Sequence, residues 1–176
     1  MKDSISLTGF MGSGKSSVGK ELLSLLPGYE LIDLDAYIEA MTGRTIPEIF
    51  ENSGEEAFRQ MECQALEDIF MTAEMLGTKS ILSLGGGTVM SESCRRMVRR
   101  NTECFYLRGN EQTLLANIRK DPVGTRPLLP EGKDLQARLS GLLAERDPVY
   151  RATAHHIIDI DGKPAQEIAV DILMAL

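Results

Sequence analysis

The chain has 176 residues, 43% of them hydrophobic and 26% charged, with a formal net charge of −7. That length and composition exclude a fibrous or wholly disordered polymer and disfavour two full-sized domains, and the negative balance argues against a nucleic-acid partner. No apolar run approaches the roughly 20 residues of a membrane-crossing helix, and the start turns polar and glycine-rich before a signal-peptide core forms, so one cytoplasmic domain over 1-176 without a membrane partner is expected.

Ile5 to Thr8 reads as a short strand running into Gly9-Phe-Met-Gly-Ser-Gly-Lys-Ser16. Val18, Leu22, Leu23 and Leu26 then recur at helical spacing until Pro27-Gly28 stops them. Tyr29 to Ile32 forms a second strand ending at Asp33, followed by short helices over 35-42 and 46-52 and a longer one from Glu55 to Leu76. Ser80 to Leu84 is a buried strand before Gly85-Gly86-Gly87, and 91-100 a helix whose Arg95, Arg96, Arg99 and Arg100 suggest a solvated face. Cys104 to Leu107 is a strand, Glu111 to Arg119 a helix, Asp121 to Gly132 a Pro/Gly-rich excursion, and Leu135 to Arg151 a helix. Ile157 to Ile160 gives a fifth strand and Ala165 to Met174 a terminal helix. Repeated strand-helix units predict an α/β fold with a mostly parallel sheet covered on both faces and a site beyond the strand C-termini.

The strongest chemical signal is Gly9-x4-Gly14-Lys15-Ser16, a complete phosphate-binding loop between a strand and a helix. Its glycines let backbone N–H groups curl around phosphate oxygens, Lys15 neutralises the β- and γ-phosphates, and Ser16 is placed to ligate Mg2+. Asp33 and Asp35 follow the second strand. If that segment stays extended, both carboxylates face one side, one toward Mg2+ through water and one toward an incoming hydroxyl. The same acids also suit a helix cap at Asp35 and a solvated strand end at Asp33.

Arg59 and Glu62 lie three apart on the long helix, where Glu62 can orient a guanidinium that grips an anion bidentately; a plain surface pair is the alternative. Phe50 and Phe58 suit an apolar wall or the core. Gly85, Gly86 and Gly87 either admit a substrate against the backbone or form a tight turn. In the excursion, Arg126 is placed to meet a transferring phosphoryl group, while Arg119 suits the adenine; a static surface loop has similar composition. Arg146, one helical turn before Tyr150, offers a second grip on a carboxylate. Cys63, Cys94 and Cys104 cannot all pair and suit a reducing compartment, with Cys63 and Cys104 read as small core residues. His155 and His156 are expected to point to opposite faces of a strand.

Together these segments resemble the shikimate kinase family, across nearly the whole chain. The resemblance rests on the phosphate loop Gly9 to Ser16, Asp33-Leu-Asp35, Phe58-Arg59-Gln-Met-Glu62, Gly85-Gly-Gly87, Arg126-Pro-Leu-Leu129 and Arg146-Asp-Pro-Val-Tyr150. It implies a nucleoside-monophosphate-kinase-like, three-layer α/β/α P-loop fold: a five-stranded parallel sheet in order 2-3-1-4-5, a substrate-binding region at 33-62 and a mobile lid at 120-131. It implies ATP as phosphoryl donor, Mg2+ as cofactor and shikimate as acceptor in a monomeric enzyme. By motif, Lys15, Asp35 and Arg126 are implied to be catalytic. The implied nucleotide contacts are Gly12, Ser13, Gly14, Lys15, Ser16, Ser17, Arg119 and Arg126, with Ser16 and Asp33 on the metal. Asp35, Arg59, Gly85, Gly86, Gly87 and Arg146 are the implied shikimate contacts. Ser17 stands where many relatives carry threonine, while Ser16 keeps the direct metal role. Another small-molecule kinase, a P-loop GTPase or a non-catalytic nucleotide binder remains open, though no NKxD-like guanine signal is present.

Overall fold

The structure is a computed structural model that describes residues 2–120 and 134–176. Strands β1 (Ser4–Thr8), β2 (Tyr29–Asp33), β3 (Lys79–Ser83), β4 (Thr102–Arg108) and β5 (His156–Asp159) form one parallel sheet in the order β2-β3-β1-β4-β5. This is the order that the family resemblance implies. Observed strand and helix ends differ from the sequence reading by at most two residues, the usual uncertainty at frayed termini.

The centre of the sheet is dry. Ile5 and Leu7 of β1 pair with Ile81 and Ser83 of β3 and with Glu103 and Phe105 of β4, and Ile5, Leu7, Ile81 and Phe105 are all at most 1% exposed. On the alternate face of β1 stand Ser4, Ser6 and Thr8; a buried hydroxyl is expensive to leave unpaired, and of the three Thr8 Oγ1 has no partner among the described residues. Ser4 Oγ accepts from the Ser80 amide at 3.2 Å, and Ser6 Oγ pairs with Thr102 Oγ1 at 2.6 Å. Ser4 and Ser6 thus tie β1 to both of its neighbours, β3 and β4.

Helices cover the sheet. α1 (Lys15–Leu25) and α7 (Ala165–Ala175) pack together, α1 against β1, β2 and β3 and α7 against β5. α4 (Glu92–Asn101) and α6 (Leu135–Thr153) pack on β4, and α3 (Ile46–Leu76) lies against α4. α2 (Leu34–Thr42) and α5 (Glu111–Arg119) are the remaining α-helices among the described residues. The sequence reading separates helices at 46-52 and from Glu55; in the structure they run on as α3 across a break at Gly54, whose φ of 81° and ψ of 172° are open to glycine alone. A capping box opens the first half, with Thr45 N–H donating to Glu48 Oε2 at 2.7 Å and Glu48 N–H to Thr45 Oγ1 at 3.4 Å.

One expectation is corrected. Cys63 on α3 and Cys94 on α4 are joined by a disulfide across a Cα–Cα distance of 5.4 Å, leaving Cys104 as the free, buried thiol. Cys63 is therefore not an isolated core residue; the packing of two helices creates a pair between positions 31 residues apart in sequence. The arginines of α4 keep the expected solvated face, Arg96, Arg99 and Arg100 being exposed, while Arg95 Nη1 donates to Val89 O at 3.1 Å and Arg99 Nη1 to Thr153 O at 3.0 Å, fastening α4 to its neighbours. His155 and His156 have separate partners, His155 Nδ1 accepting from the Cys104 amide at 3.0 Å and His156 Nε2 meeting Glu103 Oε1 at 2.9 Å.

Candidate active site

Because the strands are parallel, the segments leaving β1, β2 and β3 emerge at one edge of the sheet. There they line an open cleft of about 1200 Å³ that runs from the phosphate loop to α3 and α6. The loop is closed by Ser13 N–H donating to Phe10 O at 3.1 Å, and Gly14, at φ 82° and ψ 19°, turns the chain left-handed into the first residue of α1. Lys15 Nζ reaches back to Gly9 O at 2.9 Å and Phe10 O at 3.0 Å, across the hollow where a phosphate chain would lie. From behind, Asn117 of α5 donates to Gly12 O at 2.8 Å.

Asp33 and Asp35 take different positions from the extended pair that spacing suggests. α2 begins at Leu34, so Asp33 is its cap, accepting from Ala36 N–H at 3.1 Å, and Asp35 sits in the first helical turn. The cap is thus Asp33 and not Asp35. Both still face the cleft. Ser16 Oγ donates to the second oxygen of Asp33 at 2.8 Å, which sets two hard oxygen ligands side by side at the loop mouth. Asp35 Oδ1 is buried without a hydrogen-bond partner among the described residues. Burial, followed by the negative fields of Glu62 and Asp33, pushes its carboxyl up to about 6, against the pull of Lys15.

The opposite wall is built on Glu62, which is fully buried. It receives Arg59 Nη1 at 2.7 Å and the Thr88 hydroxyl at 2.6 Å, on different carboxylate oxygens. Burial raises the Glu62 pKa while Arg59 and Thr88 oppose it. For Arg59, burial disfavours the charge, but Glu62 and Glu55 outweigh it and hold the guanidinium firmly protonated. The Arg59 guanidinium lies 5.4 Å from the Phe58 ring centroid, and the Phe58 and Phe50 rings stand 4.9 Å apart, both lining the cleft. A Cβ on Gly87 would run into the Arg59 guanidinium, and one on Gly85 would stand 3.0 Å from Glu62 Oε1 and 3.2 Å from Asp35 Oδ1. The glycine run is therefore the space in which these charged groups converge, more than a simple turn.

Arg146 of α6 is only 4% exposed, with its guanidinium 6.0 Å from the Phe10 ring centroid and one nitrogen 3.5 Å from where a Gly86 Cβ would be. Thus Lys15, Asp35, Arg59, Gly86 and Arg146 share one cleft. Arg119 is exposed at the end of α5, while Asn117 and Lys120 line the cleft beside it. Arg126, and the lid span 120-131 beyond Lys120, lie outside the described residues. Asn117 and Thr88 are absent from the sequence reading, since neither has a local pattern that marks it. Tyr150 shows in the sequence only its spacing from Arg146.

A family profile described as shikimate kinase matches residues 11–176. A curated shikimate kinase from Dictyoglomus turgidum is 38% identical, with 100% of this chain and 98% of that protein covered. One from Thermus thermophilus is 40% identical, over 98% of this chain and 89% of that protein. A solved shikimate kinase from Acinetobacter baumannii in complex with shikimate superposes with a TM-score of 0.89 at 34% identity, covering 99% of this chain and 93% of that one.

Proposed function

The chain belongs to the shikimate kinase family, and from that premise we propose how its residues carry out the family's reaction. It transfers the γ-phosphoryl group of ATP to the 3-hydroxyl of shikimate, giving shikimate 3-phosphate and ADP on the route to chorismate and the aromatic amino acids. The observation that carries the site assignment is the meeting, in one cleft, of a phosphate loop with two arginines and a partly buried carboxylate.

The loop amides of Gly12 to Ser17 and the amino end of α1 hold the phosphate chain, with Lys15 bridging its β- and γ-oxygens. Arg59 and Arg146 grip the shikimate carboxylate, and Gly85, Gly86 and Gly87 let the ring approach the backbone. That leaves the buried oxygen of Asp35 to accept the hydrogen bond of the 3-hydroxyl. Alignment of that oxygen with the γ-phosphorus is Asp35's main contribution, and the hydroxyl proton passes to its carboxylate as the new P–O bond forms and the bond to ADP breaks. Ser16 and Asp33 fit Mg2+ in donor type and spacing; when bound, the ion offsets phosphate charge. Arg126 is assigned to the transferring phosphoryl group from its Arg-Pro-Leu-Leu run alone, and Arg119 to the adenine.

We place the enzyme in the cytoplasm as a monomer, with no nucleic-acid or membrane partner. No described helix is long and apolar enough to cross a membrane. A product assay with ATP, Mg2+ and shikimate tests the assignment, with other hydroxy acids and nucleoside monophosphates as controls. Formation of shikimate 3-phosphate in preference to every control product is expected. Preferred phosphorylation of a nucleoside monophosphate would overturn it.

A further inference from the structure

The carbonyls and amides of the triglycine loop are treated differently. Gly85 O accepts from Thr88 N–H at 3.2 Å and Gly87 O from Met90 N–H at 3.1 Å, while Gly86 O accepts from the Tyr150 hydroxyl. All three carbonyls are thus engaged. The N–H groups of Gly86 and Gly87 have no hydrogen-bond partner among the described residues. A peptide unit is planar and its C=O and N–H point opposite ways, so anchoring Gly86 O also fixes the direction of the Gly87 N–H.

Tyr150 is well suited to that anchoring. It is fully buried on α6, one turn beyond Arg146, whose guanidinium has a nitrogen 3.5 Å from where a Gly86 Cβ would stand. The phenol gives its one proton to Gly86 C=O, so the hydroxyl and the Arg146 guanidinium, carried on the same helix, converge on one glycine. Burial pushes the Tyr150 phenol up to about 12, which keeps the proton available for donation. The ring is held 5.1 Å from that of Tyr106, whose hydroxyl donates to Asp147 Oδ1 at 2.7 Å, so the phenol has little freedom to swing away.

We propose that Tyr150 is a positioning residue of the substrate side of the cleft, its hydroxyl tying the Gly86–Gly87 peptide to the helix that carries Arg146, so that loop and guanidinium meet a carboxylate-bearing substrate in fixed relation. The proposal rests on the assignment of Arg146 and the glycine loop to shikimate. Loss of this single hydroxyl leaves the packing intact but lets arginine and loop move independently.

Tyr150→Phe tests it, with Tyr106→Phe as the control that removes a neighbouring hydroxyl without touching the loop. In Tyr150→Phe the KM for shikimate is expected to rise about fivefold, the scale of one lost neutral hydrogen bond, with the KM for ATP and kcat within about twofold. Amide hydrogen exchange over 84-90 is expected to quicken, and Tyr106→Phe to do neither. A shikimate KM within about twofold of wild type, or equal rises for both substrates, would overturn the proposal. If the wild-type protein did not phosphorylate shikimate, the functional assignment would fail by itself. Exchange over 84-90 would then decide the role of Tyr150, unchanged protection in Tyr150→Phe refuting it and faster exchange supporting it.

Discussion

The two ends of the cleft are made in opposite ways. The phosphate end is one continuous run, Gly9 to Ser17, in which backbone amides and a helix terminus supply most of the recognition and the side chains of Lys15 and Ser16 complete it. The acid end draws on 35, 59-62, 85-88 and 146-150, segments brought together only by the tertiary fold and locked by the buried carboxylate of Glu62. The difference is one of fragility. Backbone-built recognition survives most neighbouring side-chain changes, whereas a wall of paired charges fails when one partner is removed.

The sharpest break in that comparison is Lys15→Ala, which removes the main side-chain charge of the phosphate end. Turnover at saturating substrates is expected to fall on the order of 10³-fold, as for loss of a preorganised electrostatic stabiliser, with an unchanged circular dichroism spectrum. Near wild-type turnover would mean that the backbone alone suffices.

At the other end, Glu62→Gln should be nearly as severe but of a different kind. It leaves the Arg59 guanidinium without its buried counter-charge, so stability is expected to drop by about 3 kcal/mol, a low value for a broken buried pair because Arg59 keeps some solvent contact. Shikimate binding by calorimetry should weaken with it while ATP binding holds. Equal weakening of both ligands would erase the distinction between the two ends.

Asp35 gives a smaller and pH-dependent effect. Its folded pKa is raised from 3.8 to about 6, so the folded state binds the proton more tightly than the unfolded chain, and stability falls as pH climbs between those values. Above about 6 the ionised carboxylate is a standing cost. Asp35→Asn is therefore expected to stabilise the ligand-free protein by about 1 to 3 kcal/mol at pH 7.5 and to lose that advantage toward pH 4, as read by denaturant titration. The same substitution should abolish most turnover, and wild-type kcat/KM for shikimate should decline as pH drops through 6, where Asp35 loses its capacity to accept. A stability gain that is constant with pH would refute the sign argued here.

The mildest test is Asn117→Ala, behind the phosphate loop. Losing its bond to Gly12 O should cost about 1 kcal/mol, seen as a roughly fivefold rise in the ATP KM with the shikimate KM unmoved. A shikimate effect of the same size would show that the two ends are mechanically coupled through α5.

That contrast also decides what is legible in the sequence. The phosphate loop is local, so its spacing and its strand-to-helix context announce it, and the break at Gly54 is visible because helical periodicity lapses around it. Arg59 and Glu62 are readable as a pair at helical spacing, but their meeting with Gly87 and Arg146 becomes legible through the resemblance, because no local rule links those positions. Thr88, Asn117 and the Tyr150 hydroxyl act over separations of 26, 105 and 64 residues, where single-sequence patterns carry no information. The Asp33 cap eludes a sequence reading for a local reason: both aspartates suit a cap, and only the observed start of α2 distinguishes them.

The Cys63–Cys94 bond also makes part of the molecule a ring. Cys63 directly follows Glu62, and the chain between the two sulfurs contains the rest of α3, all of β3 and Gly85 to Gly87. A segment that delivers the glycine run to the cleft is thereby looped back, covalently, to the helix that delivers Arg59 and Glu62. One protease cut anywhere over 64-93 does not divide the oxidised protein: its fragments stay linked and migrate as one species until a thiol reductant separates them. Opening that bond also returns closure entropy to the unfolded chain, worth about 3 to 4 kcal/mol for a ring of this size.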